Sequence, residues 1–197
     1  MLDKGFYSCV HTIDDAIFQR INLKSYKPNC TIPLDELRYI YLSHYGFDGK
    51  AHMGELIVNC GIVQQTISVF QELFEAKYPI EKIRLVDEYD ADDICSMADN
   101  NSSCFNYRTI EGTSKLSNHS QGLAIDINPL YNPYIRMIDG TFSVLPENGI
   151  PYVDRSGNCP YFIHKNDICY NAFIKHGFSW GGEWKSAKDY QHFEIVR

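Results

Sequence analysis

Histidine and aspartate side chains recur at spacings that could bring them together. Residues 122–128 (GLAIDIN) alternate as a β-strand does, with aliphatic side chains on one face and Asp126 on the other, beside the small Ala124. His119 stands just upstream, on the wrong face of a straight strand. Gly122 can supply the bend that brings its imidazole round to the carboxylate.

The end of the chain repeats this pattern. Residues 190–196 are predicted to form a strand in which His192 and Glu194 share one face, and Asp189 lies three residues before the histidine. If both strands bury their apolar faces, their polar side chains could lie close together. The sequence therefore predicts that two imidazoles and at least one carboxylate meet in space.

Such a set suits a metal ion. Two imidazoles and one carboxylate hold catalytic zinc and leave a fourth position open for water, whose pKa the zinc lowers to about 7. We therefore predict that His119, Asp126 and His192 can bind Zn²⁺, and that a second carboxylate outside the ligand set is then needed to take the proton of the water. Taken singly, each residue has an ordinary explanation, such as a turn-forming aspartate or a rim ion pair between His192 and Glu194.

The residues around this site resemble a known family. Residues 117–126 (SNHSQGLAID) match the S-x-H-x-x-G-x-A-x-D signature of the D-alanyl-D-alanine carboxypeptidase family of zinc peptidases, and residues 189–192 (DYQH) match its second signature. The family includes VanY- and VanX-like enzymes and the L-alanyl-D-glutamate endopeptidases of phage lysins. The aspartate that opens the second signature resembles the endopeptidase-like branch. Further likeness to that branch is found in residues 34–59, 78–93 and 103–108.

The resemblance implies roles for individual residues. His119, Asp126 and His192 match the zinc ligands, and Asp189 matches the catalytic general base. Arg108 matches the arginine that hydrogen-bonds the substrate carbonyl or the tetrahedral oxyanion, a role that suits the fixed donors of a guanidinium. A surface salt bridge is the alternative for Arg108, and the sequence leaves both open.

The implied activity is hydrolysis of peptidoglycan stem peptides. The resemblance favours the L-Ala–D-Glu bond, with D-Ala–D-Ala carboxypeptidase activity as the alternative. Ser117 is expected to orient a ligand. A zinc-stabilised cell-wall binding module without catalysis is a second reading, and a thiol hydrolase is a weaker third, because Cys104 has no evident histidine partner.

The predicted helices and strands do not alternate as repeated βαβ units, which favours a single domain of the α+β class. We expect a largely antiparallel sheet with flanking helices, and the resemblance implies a hedgehog/D-Ala-D-Ala-peptidase-like fold. Residues 1–25 are predicted as an N-terminal arm or helix and residues 26–197 as the zinc peptidase catalytic domain. The predicted strands are 37–44, 55–63, 82–87, 122–128 and 190–196, and the predicted helices are 11–24, 63–77 and 166–176. Residues 89–103 are predicted as a loop that can include a helical turn, and residues 129–160 as a long looping excursion.

The amino-acid composition limits the classes of partner that are expected. The 197 residues carry a net charge of −7 with no basic block, so nucleic acid is not expected. No apolar run approaches the ~18 residues of a membrane span. Seven cysteines without a C-x-x-C pair argue against a structural zinc knuckle. The first six residues lack the regions of a signal peptide, so the extracytoplasmic location that the resemblance implies would need a trimmed signal or another route.

Overall fold

Helices alternate irregularly with short strands along the chain. The computed structural model describes residues 5–110, 113–138 and 140–196. Within these ranges the helices are α1 (Asp15–Ile21), α2 (Val63–Glu75), α3 (Asp93–Ala98) and α4 (Ile168–Lys175). The strands are β1 (Ser8–Thr12), β2 (Leu37–Tyr45), β3 (Ala51–Asn59), β4 (Lys82–Ile83), β5 (Asn101–Ser102), β6 (Ala124–Asp126), β7 (Tyr134–Ile138), β8 (Thr141–Leu145), β9 (Ser179–Trp180), β10 (Ala187–Asp189) and β11 (His192–Glu194).

Three antiparallel sheets of three strands make up most of the β-structure. Their strand orders are β1-β2-β3, β6-β11-β9 and β10-β7-β8, and only β4 and β5 pair in parallel among the described strands. This confirms the predicted α+β single domain with largely antiparallel pairing. The likeness to the hedgehog fold stays a prediction.

The main core lies between the β2–β3 hairpin and α2. Ile40 on β2 stands opposite Leu56 on β3, and both are buried. The apolar stripe of α2, predicted from its helical spacing, contributes Phe70 and Leu73 to the same cluster. Burial of this stripe fixes α2 across the hairpin, and the strands that carry the chemical residues pack on the same cluster.

The N-terminal residues are built into this fold. Strand β1 adds an edge to the sheet by pairing with β2, and Ile21 of α1 is fully buried against Leu37 and Ile57. Both guanidinium nitrogens of Arg20 donate to the carboxylate of Glu55, at 2.7 and 2.8 Å. The division of the chain at residue 25 stays a prediction, and residues 1–4 and 197 lie outside the described part.

One predicted strand was wrong in extent. The predicted strand 82–87 pairs only at residues 82–83, because Asp87 accepts hydrogen bonds from the backbone nitrogen and hydroxyl of Ser25, both at 3.0 Å, where the chain forms a 3₁₀ turn. The helical turn expected within the predicted loop 89–103 is present as the six-residue α3, whose first turn is capped by Asp92.

The predicted loop 129–160 was also wrong in part, since it contains the β7–β8 hairpin. Proline, glycine and asparagine are frequent in this segment and favoured a loop prediction. Two five-residue runs of β-forming side chains were therefore not recognised as strands. Pairing with β10, about fifty residues downstream, completes this sheet. Such distant pairing leaves no local signal in the sequence.

The cysteines and the helices add two observations. All seven cysteines lie in the described part and are free thiols. Among the described residues, no helix has the length and apolar character needed to cross a membrane.

Gly122 is predicted to be indispensable to the packing of β6 on β3. Its φ is +64°, and a Cβ there would lie 2.7 Å from the backbone nitrogen of Asn59. Gly177 has a similar positive φ of +89°, but a Cβ there would meet no atom within 4 Å. We expect Gly122→Ala to lower the free energy of unfolding by about 3 kcal/mol and Gly177→Ala by only about 1 kcal/mol. Urea denaturation measures both, and equal losses would contradict the steric argument.

Candidate metal centre and its cleft

The pairing of β6 with β11 places one histidine beside one aspartate. In this antiparallel ladder His192 stands directly opposite Asp126. Cross-strand partners share a face, so both polar side chains project from the same side of the sheet. The opposite side carries Ile125 and Phe193, both fully buried in the core. The predicted strand 122–128 is shorter than expected, with only residues 124–126 in the ladder.

His119 reaches the same side from a short 3₁₀ helix. Ser117 caps this helix, its hydroxyl accepting the backbone N–H of His119 at 3.3 Å. Gly122 ends it in the left-handed conformation and turns the chain into β6. The predicted bend at Gly122 is therefore present, and Ser117 positions His119 through the backbone.

Three side chains converge at this point. Nε2 of His119 lies 3.2 Å from Oδ2 of Asp126, and Nδ1 of His192 lies 3.1 Å from its Oδ1. The two imidazole nitrogens are 3.2 Å apart. All three residues are buried, and their ligand atoms lie within 4.8 Å of one another. This group can hold a metal ion.

Hydrogen bonds on the outer side of each ring fix its orientation. Nδ1 of His119 donates to the carbonyl of Cys104 at 2.6 Å, which leaves Nε2 facing the cluster. Nε2 of His192 donates to Glu194 at 3.1 Å, which leaves Nδ1 facing the cluster. A metal ligand needs a free imidazole lone pair and a supported outer N–H, and both histidines fit this requirement.

Charge within the cluster is tightly balanced. Burial alone would raise the pKa of Asp126, but its contacts with His119 and His192 outweigh burial and hold that pKa well below its usual range. Burial likewise lowers the pKa of His192, while hydrogen bonds to Asp126 and Glu194 prevail and raise it to about 10. A bound cation would replace the proton that this cluster keeps, since ligation needs a neutral imidazole.

Asp189 is a carboxylate held at the edge of the cluster. Asp189 is the last residue of β10, and two residues separate it from β11. Its Oδ1 is buried without a hydrogen bond among the described residues. Burial, with the charge of Asp126 acting in the same direction, raises its pKa to about 7 against the opposing charges of His192 and Arg108. A Cβ at Gly181 would lie 2.8 Å from the Cβ of Asp189, so only glycine lets the backbone pack this closely.

Arg108 lies in the same cleft and also forms an ion pair. Its guanidinium is 2.8 Å from Asp93 at the start of α3, and both side chains are about three-quarters buried. Its backbone N–H donates to the hydroxyl of Ser120, which ties the segment to the 3₁₀ helix of His119. Arg108 thus forms the ion pair that was one of the two alternatives and also lines the cleft, while its contact with a substrate carbonyl stays a prediction.

These residues surround a cleft of about 650 Å³. One wall is the sheet β10-β7-β8, which contributes alternate residues to the lining. Trp184 forms part of the rim, with its ring 5.3 Å from that of His192. The full lining consists of Asp93, Ile94, Met97, Arg108, Thr109, Ile110, Lys115, Leu116, Ser117, Asn118, His119, Asp126, Tyr134, Arg136, Ser143, Leu145, Trp184, Asp189, Gln191, His192 and Glu194.

Sequence reasoning missed one wall of this cleft. Tyr134, Arg136, Ser143 and Leu145 come from the β7–β8 hairpin, which was predicted to be loop. The alternation of polar and apolar residues extends only over residues 134–137. It is too short to distinguish a strand from an irregular segment.

Other candidates lie away from the cluster. Glu183, another carboxylate near the end of the chain, pairs with Lys165 at 2.6 Å and does not line the cleft. Trp180 is buried in the core, so only the second tryptophan of the Trp-Gly-Gly-Glu-Trp segment reaches the cleft. Burial raises the pKa of the Cys104 thiol, the opposite of what a thiol nucleophile requires.

One known family matches the part of the chain that contains this cluster. A family model described as D-alanyl-D-alanine carboxypeptidase matches residues 111–195, which include the three clustered residues and Asp189 but not Arg108. The match supports a peptidase of peptidoglycan. No curated protein and no solved structure matches the chain. The branch of the family stays a prediction.

Proposed function

We propose that this protein is a zinc-dependent peptidase that hydrolyses peptidoglycan stem peptides at the L-Ala–D-Glu bond. The observation that carries the proposal is the convergence of a buried His-Asp-His group, a separate carboxylate and an arginine on one cleft. The family match over residues 111–195 supports the substrate class. A peptidase of this kind acts on the cell wall, which makes an extracytoplasmic location part of the proposal.

The proposed zinc ligands are Nε2 of His119, a carboxylate oxygen of Asp126 and Nδ1 of His192. Both imidazoles have their outer N–H groups committed to acceptors, so this donor set fits zinc with three protein ligands. When bound, zinc supplies a Lewis acid for the scissile carbonyl and lowers the pKa of a water molecule.

Asp189 is proposed to accept the proton of the attacking water and to pass it to the leaving amine. Its buried Oδ1 has no partner in the described chain, and its pKa of about 7 suits proton transfer in both directions near neutral pH. Glu194 is less suited to this role, because His192 and Asn118 already donate to it.

Arg108 is proposed to stabilise the negative charge that develops on the substrate carbonyl oxygen. Asp93 holds the guanidinium from one side, which limits its motion before the substrate arrives. A preorganised donor of this kind contributes about 3–4 kcal/mol to transition-state stabilisation.

Metal analysis tests the ligand set. We expect about one zinc per chain in the wild-type protein and none after dialysis of His119→Ala or His192→Ala. His176→Ala is the matched control, because His176 pairs with Glu72 at 2.8 Å outside the cleft and should leave the zinc content unchanged. Full zinc retention by both ligand variants would overturn the assignment.

Asp189 and Glu194 are separable by mutation. Asp189→Asn should keep its zinc and lose about 10²- to 10⁴-fold in kcat, because it removes the proton acceptor. Glu194→Gln should instead weaken zinc affinity about 10- to 100-fold, because it disturbs the outer hydrogen bond of His192. Single-turnover kinetics with measured zinc content distinguishes them, and the reverse pattern would make Glu194 the base.

Digestion of purified muropeptides tests the bond. Samples with and without a terminal D-Ala should both be cut between L-Ala and D-Glu, as read by mass spectrometry. Exclusive release of one D-Ala from pentapeptides would establish the carboxypeptidase alternative. Binding of muropeptides without any hydrolysis by the zinc-loaded protein would favour the binding module.

A further inference from the structure

One face of the sheet β10-β7-β8 continues away from Asp189 along the wall of the cleft. Tyr134 pairs with Asp189 across the β7–β10 ladder, and residues two apart on a strand share a face. Arg136 therefore lies on the face of Asp189, as its diagonal neighbour at about 7–8 Å between backbones. Both residues line the cleft, as do Ser143 and Leu145 on the neighbouring strand.

Arg136 differs in its partners from Arg108 and from the carboxylates beside the two histidines. Arg108 is paired with Asp93. Asp126 and Glu194 are held by the ligand histidines. Arg136 forms no ion pair within the described chain, and its Nε is buried there without a hydrogen bond. A buried donor without an acceptor is costly, and a ligand carboxylate can relieve that cost through two parallel hydrogen bonds.

Lys115 is the other cation of the lining that has no ion pair among the described residues. It belongs to the segment just before the metal signature, and not to the sheet that carries Asp189. A single ammonium also lacks the two-pronged geometry that matches a carboxylate. Arg136 is therefore the better candidate for an anion next to the reacting bond.

We infer that Arg136 binds a free carboxylate on the substrate residue whose amine is the leaving group. This inference rests on the proposed function, in which Asp189 passes a proton to that amine. The residue bearing the amine then lies beside Asp189, and Arg136 is the next cation along the same face. The site thereby selects a leaving residue with a carboxylate on the carbon attached to the leaving nitrogen.

Both candidate bonds present such a carboxylate. In a stem peptide the D-Glu residue continues the chain through its γ-carboxyl group, so its α-carboxylate remains free unless it is amidated. In a D-Ala–D-Ala terminus, the leaving residue carries the terminal carboxylate. The subsite at Arg136 therefore serves an internal bond without requiring a chain end, and an α-carboxamide removes its ligand in either case.

The test compares two stem peptides that differ only in a free α-carboxylate or an α-carboxamide on D-Glu. We expect the wild-type protein to cleave the acid with a kcat/KM about 10- to 100-fold higher than the amide. Arg136→Gln should lose that factor on the acid alone, while Arg136→Lys should keep part of it. Arg84→Gln is the matched control, since this exposed arginine pairs with Glu88 outside the cleft.

Calorimetry with both peptides, in an Asp189→Asn background that does not turn them over, separates the two proposals. Binding that prefers the acid, and loses this preference with Arg136→Gln, supports the subsite even when hydrolysis is absent. Hydrolysis by wild-type protein without discrimination between acid and amide overturns the subsite and leaves the peptidase function standing. An equal loss on both peptides in Arg136→Gln also overturns it, because it marks a structural role. Absence of both binding and hydrolysis overturns both proposals.

Discussion

The register between β6 and β11 is the constraint on which the site depends. His192 faces Asp126 only in this register, and a shift of one residue would turn one of the two side chains to the opposite face. The core enforces it, because Phe193 stacks on Phe173 with ring centroids 4.0 Å apart and Ile125 is fully buried. A slip would move these apolar side chains into the cleft, so the geometry of the cluster follows from the packing beneath it.

Residues 129–160, predicted as a long excursion, also hold the segment between Asp189 and β11 in place. The guanidinium of Arg155 is packed between the rings of Phe162 and Tyr190, at 3.8 and 4.4 Å from their centroids. It also donates to the carbonyls of Tyr131 and Ile163. Because Tyr190 directly follows Asp189, this packing holds the proposed base as well as the chain leading into β11. Residues 129–160 thus fix the position of Asp189 through Arg155 and also supply one wall of the cleft through the β7–β8 hairpin.

The sequence predicted the parts of the site that are close together along the chain. His119 and Asp126 lie within ten consecutive residues that also contain the capping serine and the glycine at the bend. Their spacing along the chain therefore determines their relative position. The helix α2 was predictable because its helical periodicity extends over thirteen residues, and β2 because its nine residues are rich in β-forming side chains. Arg136 was not predictable, since its place beside Asp189 depends on pairing of β7 with a three-residue strand some fifty positions away. Nor could the Arg108–Asp93 contact be predicted from spacing, because it joins an irregular segment to the first residue of α3.

Charge explains why an unpaired arginine matters in this cleft. The chain carries a net charge of −7, and stem peptides with free carboxylates are acidic, so the general field opposes their approach. Local cations must outweigh it within the cleft. Arg108 is paired with Asp93, and Asp126 and Glu194 contact the two histidines. Besides the proposed zinc, Arg136 and Lys115 remain as cations of the lining without an ion pair among the described residues, and of these two Arg136 belongs to the sheet that carries Asp189. Complementarity of this kind fixes the register of a substrate more than it adds affinity, and register decides which bond lies at the metal centre.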